Sequence, residues 1–168
     1  MDKCIYYVEG KCEKQLINAL KELPSKLMPG KVKILNVIKE LIPKSEVIAI
    51  KSQTKVILVF DTDVKQTIYL KKNIELLNKY CDNVQIIYLP QVLNLEDELV
   101  RNTDVKIIKD LTKSISNKNF KTDFINMKTK DCRSMLEHHK LNLKSLWCAK
   151  LPKEFTFLIN NSGMVKFV

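Results

Sequence analysis

"KVILVFDTDV", Lys55 to Val64, decides the fold of this chain. Lys55–Phe60 is apolar on both faces after its leading lysine, the pattern of a central strand covered by helices on either side. The run stops on two aspartates one residue apart, Asp61 and Asp63. Side chains two apart on a strand share a face, so the pair converges if the extended backbone persists that far. In open parallel sheets ligands gather beyond the carboxyl ends of the strands, and these acids sit at such an end.

Upstream, "CIYYV" (Cys4–Val8) reads as a strand of β-branched and aromatic residues closed by Glu9-Gly10. "KCEKQLINALKEL" then carries Leu16, Leu20 and Leu23 at helical spacing, with Ile17 beside them, and stops at Pro24. Lys31–Val37 reads as a second strand, and Pro43 breaks any long helix in "IKELIPKSEVIAI". Downstream, Leu70, Ile74, Leu77 and Cys81 mark a helix, Asn83–Leu89 a strand, and Asn94 the cap of a further helix. The alternation predicts an α/β fold with a mostly parallel central sheet of about four strands.

From Val105 onward the chain reads as helical and basic. Ile107, Ile108, Leu111 and Ile115 are predicted to line one face, Phe120 and Phe124 form a second helical pair, and "EFTFLINNSGMVKF" suggests a hairpin turning at Asn160–Gly163. Two regions are therefore expected, an α/β domain over 1–101 and a basic, mainly helical extension over 102–168, with a possible C-terminal hairpin.

Composition bounds the function. The chain has 168 residues, 45% hydrophobic and 29% charged, as in ordinary globular proteins. No apolar run approaches the roughly 20 residues of a membrane span. The N-terminus lacks the long apolar stretch of a secretory signal, so a cytoplasmic location without membrane attachment is expected. The five cysteines form no C-x-x-C pair and are expected to be reduced and mostly buried. Net charge is +10, divided as +2 over residues 1–100 and +8 over 101–168, which favours a polyanionic partner such as nucleic acid. Three glycines and no Walker sequence leave no glycine-rich phosphate loop.

Glu9, Asp61 and Asp63 gathered at one sheet edge would repel by about 4 kcal/mol per pair at 4 Å and an effective dielectric near 20. A divalent cation relieves that repulsion, and an all-oxygen set favours Mg²⁺ or Mn²⁺. "YYVEGKCEKQLINAL", followed some fifty residues later by "VILVFDTDV", resembles a TOPRIM domain, the fold of topoisomerases, primases and certain nucleases. The resemblance covers roughly Cys4 to Arg101. It implies that Glu9 is the general acid/base and that Asp61 and Asp63 bind metal, with Gly10 allowing the tight turn between strand and helix. "YLPQVLNLEDELV" is similar to the Leu-Pro and acidic helix start of that family, which makes Glu96 a fourth metal-ligand candidate with Asp97 and Glu98 as neighbours. Lys65 stands where topoisomerases and primases usually carry a third aspartate, and the chain is too short for strand passage. Stand-alone TOPRIM nucleases, of the OLD class or the type that matures small ribosomal RNA, resemble it best.

That resemblance implies a Mg²⁺ (or Mn²⁺)-dependent nuclease, as an effector of anti-phage defence. The alternatives are an RNA-processing ribonuclease and a catalytically silent module binding nucleic acid or a partner. Lys11 and Lys14 follow the first strand and are candidates to approach the scissile phosphate as point charges. Lys106, Lys109, Lys113, Lys118, Lys121, Lys128, Lys130 and Arg133 are candidate phosphate contacts. Phe120, Phe124 and Trp147 are read as core residues, or else as base-stacking platforms. His138 and His139 point about 100° apart on a helix and cannot easily chelate one ion together; a general-acid role for one of them is the functional alternative to a surface position. A separate ATPase or sensor chain and a homodimer are the expected protein partners.

Overall fold

The structure, a computed structural model, describes residues 4–24 and 26–167. Five strands precede the helical half: β1 (Cys4–Val8), β2 (Lys26–Leu27), β3 (Lys31–Ile34), β4 (Lys55–Asp61) and β5 (Gln85–Gln91). Four of them form an all-parallel sheet in the order β3-β1-β4-β5. Helix α1 (Lys11–Leu20) covers one face, and α2 (Lys44–Ile48) and α3 (Ile68–Tyr80) cover the other. This is the α/β, Rossmann-like architecture that the alternating periods predict. No helix among the described residues is long and apolar enough to cross a membrane.

Strand β4 is central because Val56 through Phe60 are all buried and bury opposite ways. Ile57 and Val59 join the core under α1, while Val56, Leu58 and Phe60 join the core under α3. Its neighbour β1 places Tyr7 opposite Leu58. The chain leaves β1 by way of α1 and leaves β4 by way of α3, on opposite faces and toward opposite edges. Adjacent strands whose connections diverge leave a crevice at their carboxyl ends. Glu9 follows β1 and Asp61 ends β4, so both stand at that crevice.

The helical half comprises α4 (Leu95–Asn102), α5 (Ile108–Thr112), α6 (Asn117–Asn126) and α7 (Thr129–His138). Phe120 and Phe124 are fully buried with ring centroids 5.2 Å apart, and they pack in the core shared by α1 and β4. Each contributes about 1.5–3 kcal/mol by burial. Trp147 is buried in the same core, so none of the three aromatics is available to stack on bases. Phe155 and Leu158 complete the opposite core, with Phe155 stacked 5.8 Å from Phe60. Residues 102–167 therefore pack on both faces of the sheet.

Two expectations are corrected. Ile107 and Ile115 do not extend a buried helical face with Ile108 and Leu111; they are 46% and 91% exposed. Lys113 adopts φ 55° and Ser114 N–H reaches back to Lys109 O (2.9 Å), a Schellman-type ending that stops α5 after little more than one turn. The C-terminal hairpin is absent among the described residues. Asn161 instead caps the outer edge of β5, accepting from Tyr88 N–H (2.8 Å) and donating to Ile86 O (2.9 Å). The following strand β6 (Lys166–Phe167) pairs antiparallel with β2. An unpaired sheet edge is costly to leave open, so the turn-forming asparagine serves it. Met1–Lys3 and Val168, at the ends of the two expected regions, lie outside the described residues. Four of the five cysteines are buried, as expected.

Candidate active site

Asp61 lies at the centre of an acidic rim. Its carboxyl is pushed up to about 8, first by burial and then by the charges of Glu9, Glu13, Asp63 and Glu96. Four carboxylates from β1's end, α1, the β4 loop and α4 thus share one electrostatic neighbourhood with it. The structure brings together Glu9, Asp61, Asp63 and Glu96, and adds Glu13.

Thr62 sets the geometry of the aspartate pair. It is buried and faces away from them; its N–H donates to Gln91 O (3.0 Å) and Leu93 O (3.1 Å), and its hydroxyl accepts from Leu93 N–H (3.0 Å). Leu93 is held at φ 68°, a left-handed conformation that side chains rarely adopt. The end of β4 is thereby tied to the loop carrying Asn94 and Glu96. Thr62→Val keeps the volume but strands the Leu93 N–H, and is expected to cost about 1–2 kcal/mol in urea unfolding. An unchanged unfolding midpoint would remove this tie from the account.

Two helix N-termini face the rim, α1 at Lys11 and α4 at Leu95, and their dipoles favour negative charge there. Asn94 caps α4, accepting from Asp97 N–H (3.0 Å), as its position in the sequence predicts. Along α4, successive residues turn by about 100°, so Glu96 and Glu98 point in nearly opposite directions. Glu96 faces the rim and pairs with Lys121 (3.1 Å). Glu98 faces inward and is fully buried, so it is no metal ligand in this arrangement.

Glu13 is the residue the sequence reading missed. It occupies the third helical position after Gly10, and its carboxylate takes backbone hydrogen bonds from its own N–H and that of Gly10. That is the glutamate half of a capping box, legible in principle from its spacing to Gly10, which has no side chain to complete it. Burial and the nearby Glu9 nevertheless raise its pKa. Gly10 has an extended backbone, φ −156°, so the turn does not require a glycine there. A Cβ at Gly10 would stand 3.2 Å from Glu13 Oε2, so the glycine makes room for that carboxylate.

Lysines bracket the rim. Lys39 pairs with Glu9 at 3.9 Å and Lys121 with Glu96, and both amines are largely exposed. Burial pulls Lys121 down, but its bond to Glu96 and the charges around it leave it raised overall. Lys11 and Lys14 are exposed on the first turns of α1. Lys106 and Lys113 are exposed, while Lys109 and Arg133 are half-buried, Arg133 against Glu137 (3.4 Å). Among the described residues, Lys121 is the one member of the basic helical segment in an ion pair at the rim. His139 pairs with Asp104 (2.8 Å), and both histidines line a separate 450 Å³ hollow with Lys113 and Ser134. They have no part in the rim.

The rim suits a hard cation by its chemistry. Asp61 Oδ1 is buried without a hydrogen-bond partner, and so are both polar atoms of the Gln91 amide, whose residue is the register partner of Asp61 across β4 and β5. Buried polar atoms of this kind are costly unless a ligand satisfies them. Among the described residues, however, no three acidic, thiol or imidazole side chains converge as a finished metal site. The donor set is an open one, which fits Mg²⁺, an ion that keeps several of its waters. No protein-family model matches the chain, and no curated protein matches it.

Proposed function

We propose that this chain is a TOPRIM-type nuclease that hydrolyses phosphodiester bonds with Mg²⁺ or Mn²⁺. The observation that carries this reading is the charge-coupled group of carboxylates around a half-buried Asp61, with Asp61 Oδ1 unpartnered, at the switch point of a parallel sheet. Asp61 and Asp63 would hold the ion, with Glu96 on one flank and Glu9 on the other. The bound cation supplies neutralisation of charge on the phosphate and a more acidic water.

The protein's own groups have separable tasks. Glu9 accepts a proton from the attacking water as that oxygen bonds to phosphorus and the leaving oxygen departs. Lys39 and Lys121 exchange their carboxylate partners for phosphate oxygens, and Lys11 adds a third cation from the start of α1. The dipoles of α1 and α4 hold anionic groups in place.

Cleavage of single- and double-stranded DNA, tRNA and ribosomal RNA, with Mg²⁺ or with chelator, tests the proposal and distinguishes RNA processing from DNA attack. Cutting that needs the metal and is lost in Asp61→Asn is expected. No cutting of any substrate sinks it. A second reading, a silent nucleic-acid-binding module, is favoured by the engagement of Glu9 and Glu96 with lysines, among described residues that bring no three ligands to one point. Calorimetric titration with Mn²⁺ separates the two, because a silent module needs no cation at Asp61.

A further inference from the structure

The outward face of α3 carries a pattern that its core packing does not require. Leu70 and Leu77 point inward and are fully buried, with Cys81 continuing their face. Tyr69, Lys72, Leu76, Lys79 and Tyr80 recur at helical spacing beside that face, a stripe about 16 Å long on which Tyr69, Lys72 and Lys79 are exposed and Leu76 and Tyr80 half-buried. Two hollows lie along it, of 420 and 270 Å³, and Lys72 lines both.

The larger hollow adjoins the acidic rim through Lys39 and the residues that follow Asp63. Val64 and Gln66, just after Asp63, form one side; Ile38 and Lys39 form another; Tyr69 and Lys72 close it. Lys39 is the same residue that reaches Glu9. The wall bearing Ile38 and Lys39 is fixed from beneath by the buried Asn73, which donates to Val37 O (3.1 Å) and Glu40 O (2.9 Å) and accepts from Ile42 N–H (2.8 Å). Tyr69 is 44% exposed and Ile68 55%, although both are large and apolar. The second hollow adds Lys79 and Tyr80, with Glu75 the one acid lining it. Lys44 Nζ lies 4.8 Å from the Tyr80 ring centroid.

We propose that this face of α3 is a track for single-stranded nucleic acid, guiding one unpaired strand toward Asp61. The inference deepens the nuclease reading and rests on it for the direction of travel. The exposed ring of Tyr69, the half-buried ring of Tyr80 and the amines of Lys72 and Lys79 between them match the stacked bases and flanking phosphates of an unpaired strand. Bases in a duplex are already stacked on one another, so duplex gains only the amines. Lys39 then forms the junction between track and rim, and Lys121 receives the strand on the far side.

The test reads binding without cleavage. Fluorescence anisotropy in chelator compares labelled oligothymidylate, oligouridylate and a blunt duplex of equal length. The wild type is expected to prefer the single strands. Tyr69→Ala should weaken single-strand binding about tenfold and leave duplex binding nearly unchanged. Lys72→Ala should lower the slope of log affinity against log salt by about one. Lys51→Ala, an exposed lysine before β4, is the charge-matched control and should change neither. Both track residues are exposed, so unchanged circular-dichroism melts confirm intact variants. A wild type that binds no single strand or prefers duplex overturns the track, as do Tyr69→Ala and Lys72→Ala variants that bind like wild type. Tight single-strand binding without cleavage of any substrate leaves the track standing and removes the nuclease reading.

Discussion

Asp61→Asn is expected to abolish cleavage and, at the same time, to make the protein more stable. Loss of even an outer-shell partner of a metal ligand typically costs 10–100-fold, so removing a ligand charge should cost at least about a hundredfold in activity. The gain in stability follows from the opposite side of the same arrangement. The folded chain holds the Asp61 proton up to about pH 8, whereas the unfolded chain releases it near the ordinary carboxyl value of 3.8. Between those values the native state binds more protons than the unfolded state, so stability falls as pH rises.

The stabilisation from a protonated Asp61 is therefore complete below about pH 4, is lost progressively toward pH 8, and is absent above it. An asparagine does not titrate. Because Asp61 is partly exposed, solvent relaxation leaves about 2 kcal/mol in favour of the variant at pH 8.5. That amounts to about 4–8 °C in midpoint for a chain of this size. The advantage should nearly vanish at pH 4. Mg²⁺ competes with the proton, so it should raise the midpoint of the wild type at pH 8.5 and leave that of the variant alone. Equal cleavage by the variant, or the same midpoint difference at both pH values, would falsify the assignment of Asp61 as the focus of the rim.

Glu98→Ala should produce a marked loss of stability. Glu98 is fully buried and accepts from Trp147 N–H (2.6 Å), Asn102 Nδ2 (3.0 Å) and Arg101 (2.5 Å). Trp147 sits at φ 61°, a conformation that costs a non-glycine residue about 1–2 kcal/mol and that the Glu98 bond helps to hold. Truncation leaves the buried Trp147 N–H without its acceptor, at a cost of about 1–3 kcal/mol, while the exposed Arg101 still donates to Val92 O (2.7 Å). Glu98→Gln keeps an acceptor for Trp147 and should cost about 1–2 kcal/mol.

Trp147 is the chain's single tryptophan, so its fluorescence follows urea unfolding at this contact directly. An alanine variant unfolding at the wild-type midpoint would contradict the anchoring role. The consequence reaches the sheet, because the segment after Trp147 carries Asn161 onto the β5 edge. Loosening it exposes that edge, and increased aggregation should accompany the loss of stability.

Much of this was legible without coordinates. The apolar run of β4, the short β1 and the 3.6-residue spacing of α1 and α3 announce themselves because burial on one face or two imposes a period on the sequence. The tolerance of Pro90 within β5 was less so. The strand continues through it to Gln91, which an edge strand permits and a central one does not. The hairpin reading of the tail failed for a related reason. Turn residues signal a local reversal, yet Asn161 spends its side chain on a distant strand edge, and pairing between residues far apart leaves no period behind.

By itself the sequence determined the strands, the helices that alternate with them, and the placing of Glu9, Asp61, Asp63 and Glu96 at the ends of elements, because each of these is a matter of neighbours along the chain. The tertiary structure alone decided that β1 lies beside β4, which puts Glu9 next to Asp61 at the switch point. It also decided that Glu13, Lys39 and Lys121 join the rim while Glu98 and the basic segment's aromatics turn inward. Those outcomes depend on strand order and on which face each helix covers. Both are settled by burying two separate cores against one sheet, a constraint that acts across the whole chain at once.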